Sequence, residues 1–282
     1  MKVYYGSPAH ILSVLIPIFF ATGAYFLLRG KSQKIKKYAV LSVMILNLLQ
    51  HLFKSLIYPH HFGEGFSVVS TAYNMCALII IISPVAFLFF RGFFLDFVLL
   101  LGSAAGIVAI LVPYWHIGES PFSWEYLRYM ICHVLLFVSS TLPLSLGLHK
   151  PSYRSIPFFG AAFLFSVVLI LLNDAFCYLV GILRVEDGVS LGEALAGLNP
   201  VWSFGPPESF SALLRASAIL SPDVWVYGGH MGGCMPVLWY CVPVYLLITL
   251  IAVPVSLILD RKRFFSDLGT YLVSTKKRKR AK

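Results

Sequence analysis

Residues 10–28 read HILSVLIPIFFATGAYFLL, nineteen positions with no Asp, Glu, Lys or Arg. Wound as a helix, this run is about 28 Å long, enough to cross the hydrocarbon core of a bilayer. Six more segments repeat the pattern, near 38–57, 68–90, 93–113, 126–147, 156–183 and 236–259. The chain therefore reads as an all-α protein, a polytopic transmembrane helix bundle with seven spans. Composition agrees: of 282 residues 59% are hydrophobic and 12% charged, and the mean hydropathy is +0.82. A soluble domain carries about 25% charge, and one soluble core does not hold so much apolar side chain. A soluble enzyme, a disordered chain and a disulfide-stapled secreted domain are thereby excluded.

The net charge of +10 sits in short blocks between the apolar runs, as topology signals do. Seventeen of the 22 Lys and Arg fall in the loops after the first, third and fifth segments and after the seventh. Eight of the twelve acids fall on the other side: Glu64, Glu119, Glu125, Glu186, Asp187, Glu193, Glu208 and Asp223. The positive-inside rule puts the N-terminus outside and the C-terminus inside, in a multi-pass protein of the cell membrane. Residues 1–282 are expected to form a single transmembrane domain, with a long outer loop at 184–235 and a basic cytoplasmic tail at 260–282. That loop contains a capping-box pattern, Ser190-Leu-Gly-Glu193, and an amphipathic stretch at 208–220 that suits an interfacial helix or one packed on the bundle. The KKRKRAK terminus suits a topology determinant better than a nuclear signal, and no aromatic-interleaved basic groove suggests nucleic acid. Membrane lipids are the expected partners, and the oligomeric state is left open. The five cysteines, Cys76, Cys132, Cys177, Cys234 and Cys241, are odd in number and include no CxxC pair, so no disulfide framework is implied. Neither a cleavable signal peptide nor an internal repeat is evident.

Polar groups inside a bilayer are costly and default to functional readings. Helical rise places Cys76 ~12 Å deep in the third segment, His133 ~10 Å deep in the fifth and His51 ~9 Å deep in the second. Asn173 and Asp174 fall ~14 Å deep in the sixth. Four segments thus bring polar groups to one level in the outer half. Each has a bland alternative. A transmembrane Cys is usually packing material, His133 and Asn74 suit interhelical hydrogen bonds, and Asp174 suits an ion pair with Lys54 or Arg128. The functional reading takes Cys76 as nucleophile and His133 as base, with Asp174 or Asn173 orienting the imidazole or binding an oxyanion. His51, Asn74 and Lys54 are the candidate substrate-binding residues.

Four stretches carry a resemblance: AYNMCALIIII around Cys76, LLLGSAAGIVAILVP at 99–113, RYMICHVLLF around His133 and ILLNDAFCYLVGI around Asn173. Their order is similar to the YwaF-type integral membrane family, whose animal relative is described as an acyltransferase acting on phospholipids. The resemblance spans the third to sixth segments, about 40% of the chain. Such families carry a Cys in the third helix and a His in the fifth, which map onto Cys76 and His133 and imply a catalytic pair. The family's Leu-Pro-Leu-His-Leu-Cys pattern is here Ala72-Tyr-Asn-Met-Cys76, without the His, and the Asn-Tyr pair after the sixth helix is blurred.

Two further readings stay open. In a transporter or receptor-like binding protein, Lys54, His51, Asp174 and Asn74 would line an outward-facing polar cavity. In a haem protein, His51 and His133 would be axial ligands. No cofactor is expected, because no second His pair supports an electron path. The loop residues His60, His61, His116, Glu119 and His230 lack a spacing such as H-E-x-x-H, and no metal is expected.

Overall fold

The computed structural model describes residues 2–57, 67–186, 188–206, 211–228 and 234–280. Helix α1 (Pro8–Leu28) begins where Ser7 Oγ accepts from the His10 amide and Pro8 fills the first turn, a position that needs no amide hydrogen. Helix α2 (Gln33–Leu52) starts at Ser32, which caps the Ile35 amide. It stops at Phe53, and a single turn, α3 (Lys54–Ile57), follows. The second segment, expected to be continuous over 38–57, is thus shifted toward the N-terminus and broken. The third differs more. Residues 68–70 form a 3-10 turn, and α4 (Met75–Phe89) begins only after Asn74, whose Oδ1 accepts from the Ala77 amide at 2.9 Å.

The remaining helices follow the sequence closely. They are α5 (Phe93–Leu111), α6 (Trp124–Ser145, capped by Ser123) and α7 (Ile156–Leu179). The long segment after α7 contains α8 (Leu191–Leu198), α9 (Ser211–Leu220) and α10 (Asp223–Tyr227). The capping box is present: Ser190 Oγ accepts from the Glu193 amide, and the Glu193 carboxylate accepts from the Ser190 amide at 2.8 Å. Then come α11 (Leu238–Leu259) and α12 (Arg261–Arg280), so the basic tail is helical rather than a plain connector. No strand occurs among the described residues. Glu64, Asp187 and Glu208 lie outside them, as do His60, His61 and His230.

Among the described residues, five stretches are long and apolar enough to cross a membrane: Pro8–Leu28, Phe93–Leu111, Trp124–Ser145, Tyr153–Leu179 and Leu238–Leu259. Polarity keeps α2 out of this set, and its 15 residues keep α4 out. Their outward faces carry Phe19, Leu27, Leu172 and Leu250, each more than 60% exposed. A soluble monomer rarely shows so large an apolar surface.

Helix α6 is the axis of the bundle, packed against α5, α2 and α1, while α7 packs on α11. The core joins Val40 and Met44 of α2, Ile79 of α4, Leu99 of α5, Leu136 of α6 and Phe159 of α7. Between α5 and α6 the approach is close enough to require glycine. A Cβ on Gly106 would stand 2.8 Å from the Phe137 amide nitrogen and 3.0 Å from the His133 carbonyl. One turn earlier, a Cβ on Gly102 would overlap Ser140. This small-xxx-small pair is the usual way helices meet when lipid leaves no hydrophobic drive between them.

The two ends of the bundle hold different things. At one, Val3 pairs with the loop after α5, its amide donating to Glu119 and its carbonyl accepting from Gly118, both at 2.8 Å. At the other, the loop before α7 binds α5 and α12. Tyr153 hydroxyl donates to Asp267 at 2.5 Å, and Arg154 pairs with the same carboxylate at 2.6 Å.

Candidate functional site

The break after α2 and the late start of α4 place two helix ends side by side, joined through Thr71. His51, in the last turn of α2, donates from Nε2 to the Thr71 carbonyl at 3.0 Å. A carbonyl only accepts, so Nδ1 is the lone-pair nitrogen, and Lys54 Nζ meets it at 3.4 Å. The ammonium also lies 4.8 Å from the centre of the Tyr73 ring, and Lys54 is only 3% exposed. Both ring nitrogens of His51 are therefore engaged, which leaves none for a haem iron. From α7, Asn173 Nδ2 donates to Thr71 Oγ1 at 2.9 Å, and the Cys177 thiol approaches the same oxygen at 3.7 Å. Thr71 has no special signature in the sequence, yet it ties α2, α4 and α7 together.

Cys76 is the second residue of α4, not eight residues into a long helix. Cys76 packs against the central core and is within electrostatic reach of Cys132 and Tyr129 of α6. Cys132 lies eight residues along α6, about 12 Å from its start. A late start also explains the shortness of α4. Irregular backbone is tolerated at membrane depth when protein surrounds it, and 71–74 are held by Thr71 and by the Asn74 cap. Asn74, a candidate substrate ligand, spends its Oδ1 on that cap. Cys76 sits in the first turn of α4, where amide groups lack intrahelical acceptors.

His133 lies nine residues into α6, about 14 Å along it. Its Nδ1 donates to the Tyr129 carbonyl at 2.8 Å, which fixes the tautomer and leaves Nε2 with its lone pair. The ring rests on Tyr129, centroids 4.3 Å apart, and Tyr129 rests in turn on His116 at 4.4 Å. Tyr129 is anchored by its hydroxyl, which donates to the Ala109 carbonyl of α5, and His116 by Glu119 at 3.0 Å. Tyr129 thus stacks on His133 and lies within electrostatic reach of Cys76. The close α5–α6 crossing at Gly106 touches the carbonyl of His133 itself.

Asp174 is fully buried. Its Oδ1 accepts from Asn173 at 3.0 Å, while Oδ2 has no hydrogen-bond partner. It makes no ion pair among the described residues, so the pairing with Lys54 or Arg128 is not formed. Arg128, one turn before Cys132, is within electrostatic reach of Lys54, His51, Cys132 and His133. Among the described residues no three His, Cys, Asp or Glu side chains gather as metal ligands. Two surface depressions, of about 570 Å³ between residues 183–189 and α8 and about 520 Å³ on α1, are lined by none of the candidate residues.

A family model described as the TMEM164 family matches residues 4–186. The chain belongs to the TMEM164 family. No curated protein and no solved structure matches it. The matched stretch runs from the N-terminal segment through α7 and contains every residue of the cluster around Thr71, Cys76 and His133. Helices α8 to α12 fall outside it. Family and apolar helices together make this a membrane protein.

Proposed function

We propose that this TMEM164-family chain is a lipid acyltransferase or hydrolase of the cell membrane, with Cys76 as nucleophile and His133 as general base. The reading takes seven spans, with the reactive pair in the outer half, an outer N-terminus and an inner, lysine-rich C-terminus. What supports it is a thiol on the open first turn of α4 and, on α6, an imidazole whose Nε2 is left as a lone pair. Tyr129 stacks on the imidazole and is within electrostatic reach of the thiol. The resemblance to YwaF-type proteins supports the same two residues.

The chemistry balances with these groups. His133 Nε2 takes the Cys76 proton as sulfur attacks an ester carbonyl carbon. The amides of Met75 and Cys76 in the first turn of α4 suit the charge that builds on the carbonyl oxygen. The ester C–O bond breaks, the imidazolium returns its proton to the leaving alkoxide, and a thioester remains on Cys76. A lipid hydroxyl, or water, then gives its proton to Nε2 as its oxygen attacks the thioester carbon; the C–S bond breaks, the acyl group leaves on that oxygen, and the imidazolium returns the proton to the Cys76 sulfur. Asn173 and Asp174 act at a distance from sulfur, through Thr71 and the α4 terminus.

Lipid profiles of cells carrying the native gene, a deletion, Cys76→Ser or His133→Ala test the reading. Both variants should reproduce the deletion profile. A deletion-dependent change in acyl lipids that both variants fully correct would refute it. One further observation favours a binding or transport role: the buried, half-satisfied Asp174. In that case Asp174→Asn abolishes uptake or binding of a solute while Cys76→Ala does not.

A further inference from the structure

Helix α11 has 22 residues, a rise of about 33 Å, so a hydrocarbon core of ~30 Å takes up its whole length. Asp260 alone separates it from α12. A crossing by α11 therefore puts the first turns of α12 at the membrane surface. Register divides those turns into two faces. Asp260, Phe264 and Asp267 recur at i, i+4 and i+7, and this face is docked on the loop before α7. Asp260 accepts from the Tyr153 amide at 3.2 Å, and the Phe264 ring meets the Tyr153 ring edge-on, centroids 5.4 Å apart. Asp267 accepts from the Tyr153 hydroxyl at 2.5 Å and from Arg154 at 2.6 Å. One residue thus holds both ends of the first two turns and keeps them beside the start of α7. Arg261, Phe265 and Leu268 repeat the spacing one position on, about 100° around the helix. Phe265 is 65% exposed and Leu268 39%. Arg261 and its neighbour Lys262 are exposed and form no ion pair among the described residues. Charge divides in the same way. Helix α12 has eight Lys or Arg and one acid, Asp267, and Arg154 takes that acid. Docking leaves the other face cationic and apolar together.

We propose that the face of α12 carrying Arg261, Phe265 and Leu268 binds the anionic phospholipid surface at this end of the bundle. Apolar side chains flanked by basic ones suit the boundary between headgroups and acyl chains, where the rings sink and the charges meet phosphate. Basic residues within a Debye length of an anionic leaflet are drawn to it, and the five further Lys and Arg at 276–280 extend the same sign. On the reading with an inner C-terminus, this is the leaflet that holds the anionic lipids. The bilayer edge already stands at this level, which commits the face to headgroups rather than to a soluble acidic protein. The inference is independent of the chemistry at Cys76.

Hydrogen exchange of the full chain in lipid nanodiscs tests this. The discs hold phosphatidylcholine alone or phosphatidylcholine with phosphatidylserine, and the amides of 112–123 correct for the acidity of an anionic surface. After that correction, the amides of 261–268 should exchange more slowly in the phosphatidylserine discs. About 1 M salt, where the Debye length falls to about 3 Å, should remove the difference. Arg261→Gln and Lys262→Gln should each restore exchange by about fivefold in phosphatidylserine, the weight of one basic residue near an anionic surface, and change nothing in phosphatidylcholine. Phe265→Ser should undo part of the slowing. Equal exchange in the two lipids, an unchanged rate in the double variant Arg261→Gln/Lys262→Gln, or slowing that survives salt would each overturn the proposal. Slowing by polyglutamate added to phosphatidylcholine discs, as large as that by phosphatidylserine, would replace the lipid with an acidic polypeptide.

Discussion

Two aspartates are buried at opposite ends of the bundle, and their surroundings differ. Asp96, in the first turn of α5, is 1% exposed and fully partnered. It accepts from His149 Nε2 at 2.5 Å, from Ser155 Oγ at 2.6 Å and from the Ser152 amide at 3.0 Å. Asp174 is equally buried but has only its neighbour Asn173, with one oxygen unmet. A buried carboxyl with every acceptor filled fastens a loop to a helix. One left half-filled costs stability, and such costs gather at working sites. The cluster around Thr71 shows the same character, with two interrupted helices, a buried lysine and unpartnered oxygens on Asn47 and Gln50. Asp96 is fully satisfied where it fastens its loop, whereas the groups around Asp174 and α2 keep unmet oxygens.

Substitutions at the two ends should separate. Asp96→Ala has the largest expected effect, a loss of about 3–5 kcal/mol, because it strips three donors of their acceptor and leaves a buried imidazole. Thermal unfolding in detergent measures it. Gly106→Ala comes next, at about 1–3 kcal/mol of overpacking. Since that Cβ meets the His133 backbone, activity should fall further than the stability loss explains, and a temperature series of both quantities separates them. Asp174→Asn should change stability by less than about 1 kcal/mol, because no ion pair is broken, yet alter function. A stability loss as large as that of Asp96→Ala would erase the contrast. The smallest effect concerns pH. The Tyr153 hydroxyl and the Arg154 guanidinium hold the Asp267 carboxyl below its ordinary value. A depressed acid contributes while ionised, so the docking of α12 should persist above the usual carboxylate range and weaken as pH falls through and below it. Hydrogen exchange along α12 between neutral and acid pH reads this out.

Much of the bundle was legible in the apolar runs, because lipid imposes one length and one polarity on a crossing helix. Serine caps at Ser7, Ser32, Ser123 and Ser190 add the starts of four helices. The interruptions at Phe53 and at 71–74 were not legible, because neither contains the proline or glycine that announces a break. They depend on what packs around them. For the same reason hydropathy joined 68–74 to a helix that begins at Met75. The sequence nominated Cys76, His133, His51 and Asn173, since polar groups stand out in an apolar run. Thr71 and Tyr129 escaped notice, being ordinary in such a run. The Asp96–His149 clasp links residues 53 positions apart, and no local pattern joins them.

The central claim is that Cys76 carries an acyl group with help from His133. Purified protein incubated with phospholipid in a bilayer, then digested and weighed by mass spectrometry, tests it directly. The account expects a hydroxylamine-labile acyl adduct on the Cys76 peptide, present in the native chain and absent in His133→Ala. An adduct on Cys132 or Cys177 instead, none on any cysteine, or an undiminished adduct on Cys76 without His133 would contradict it.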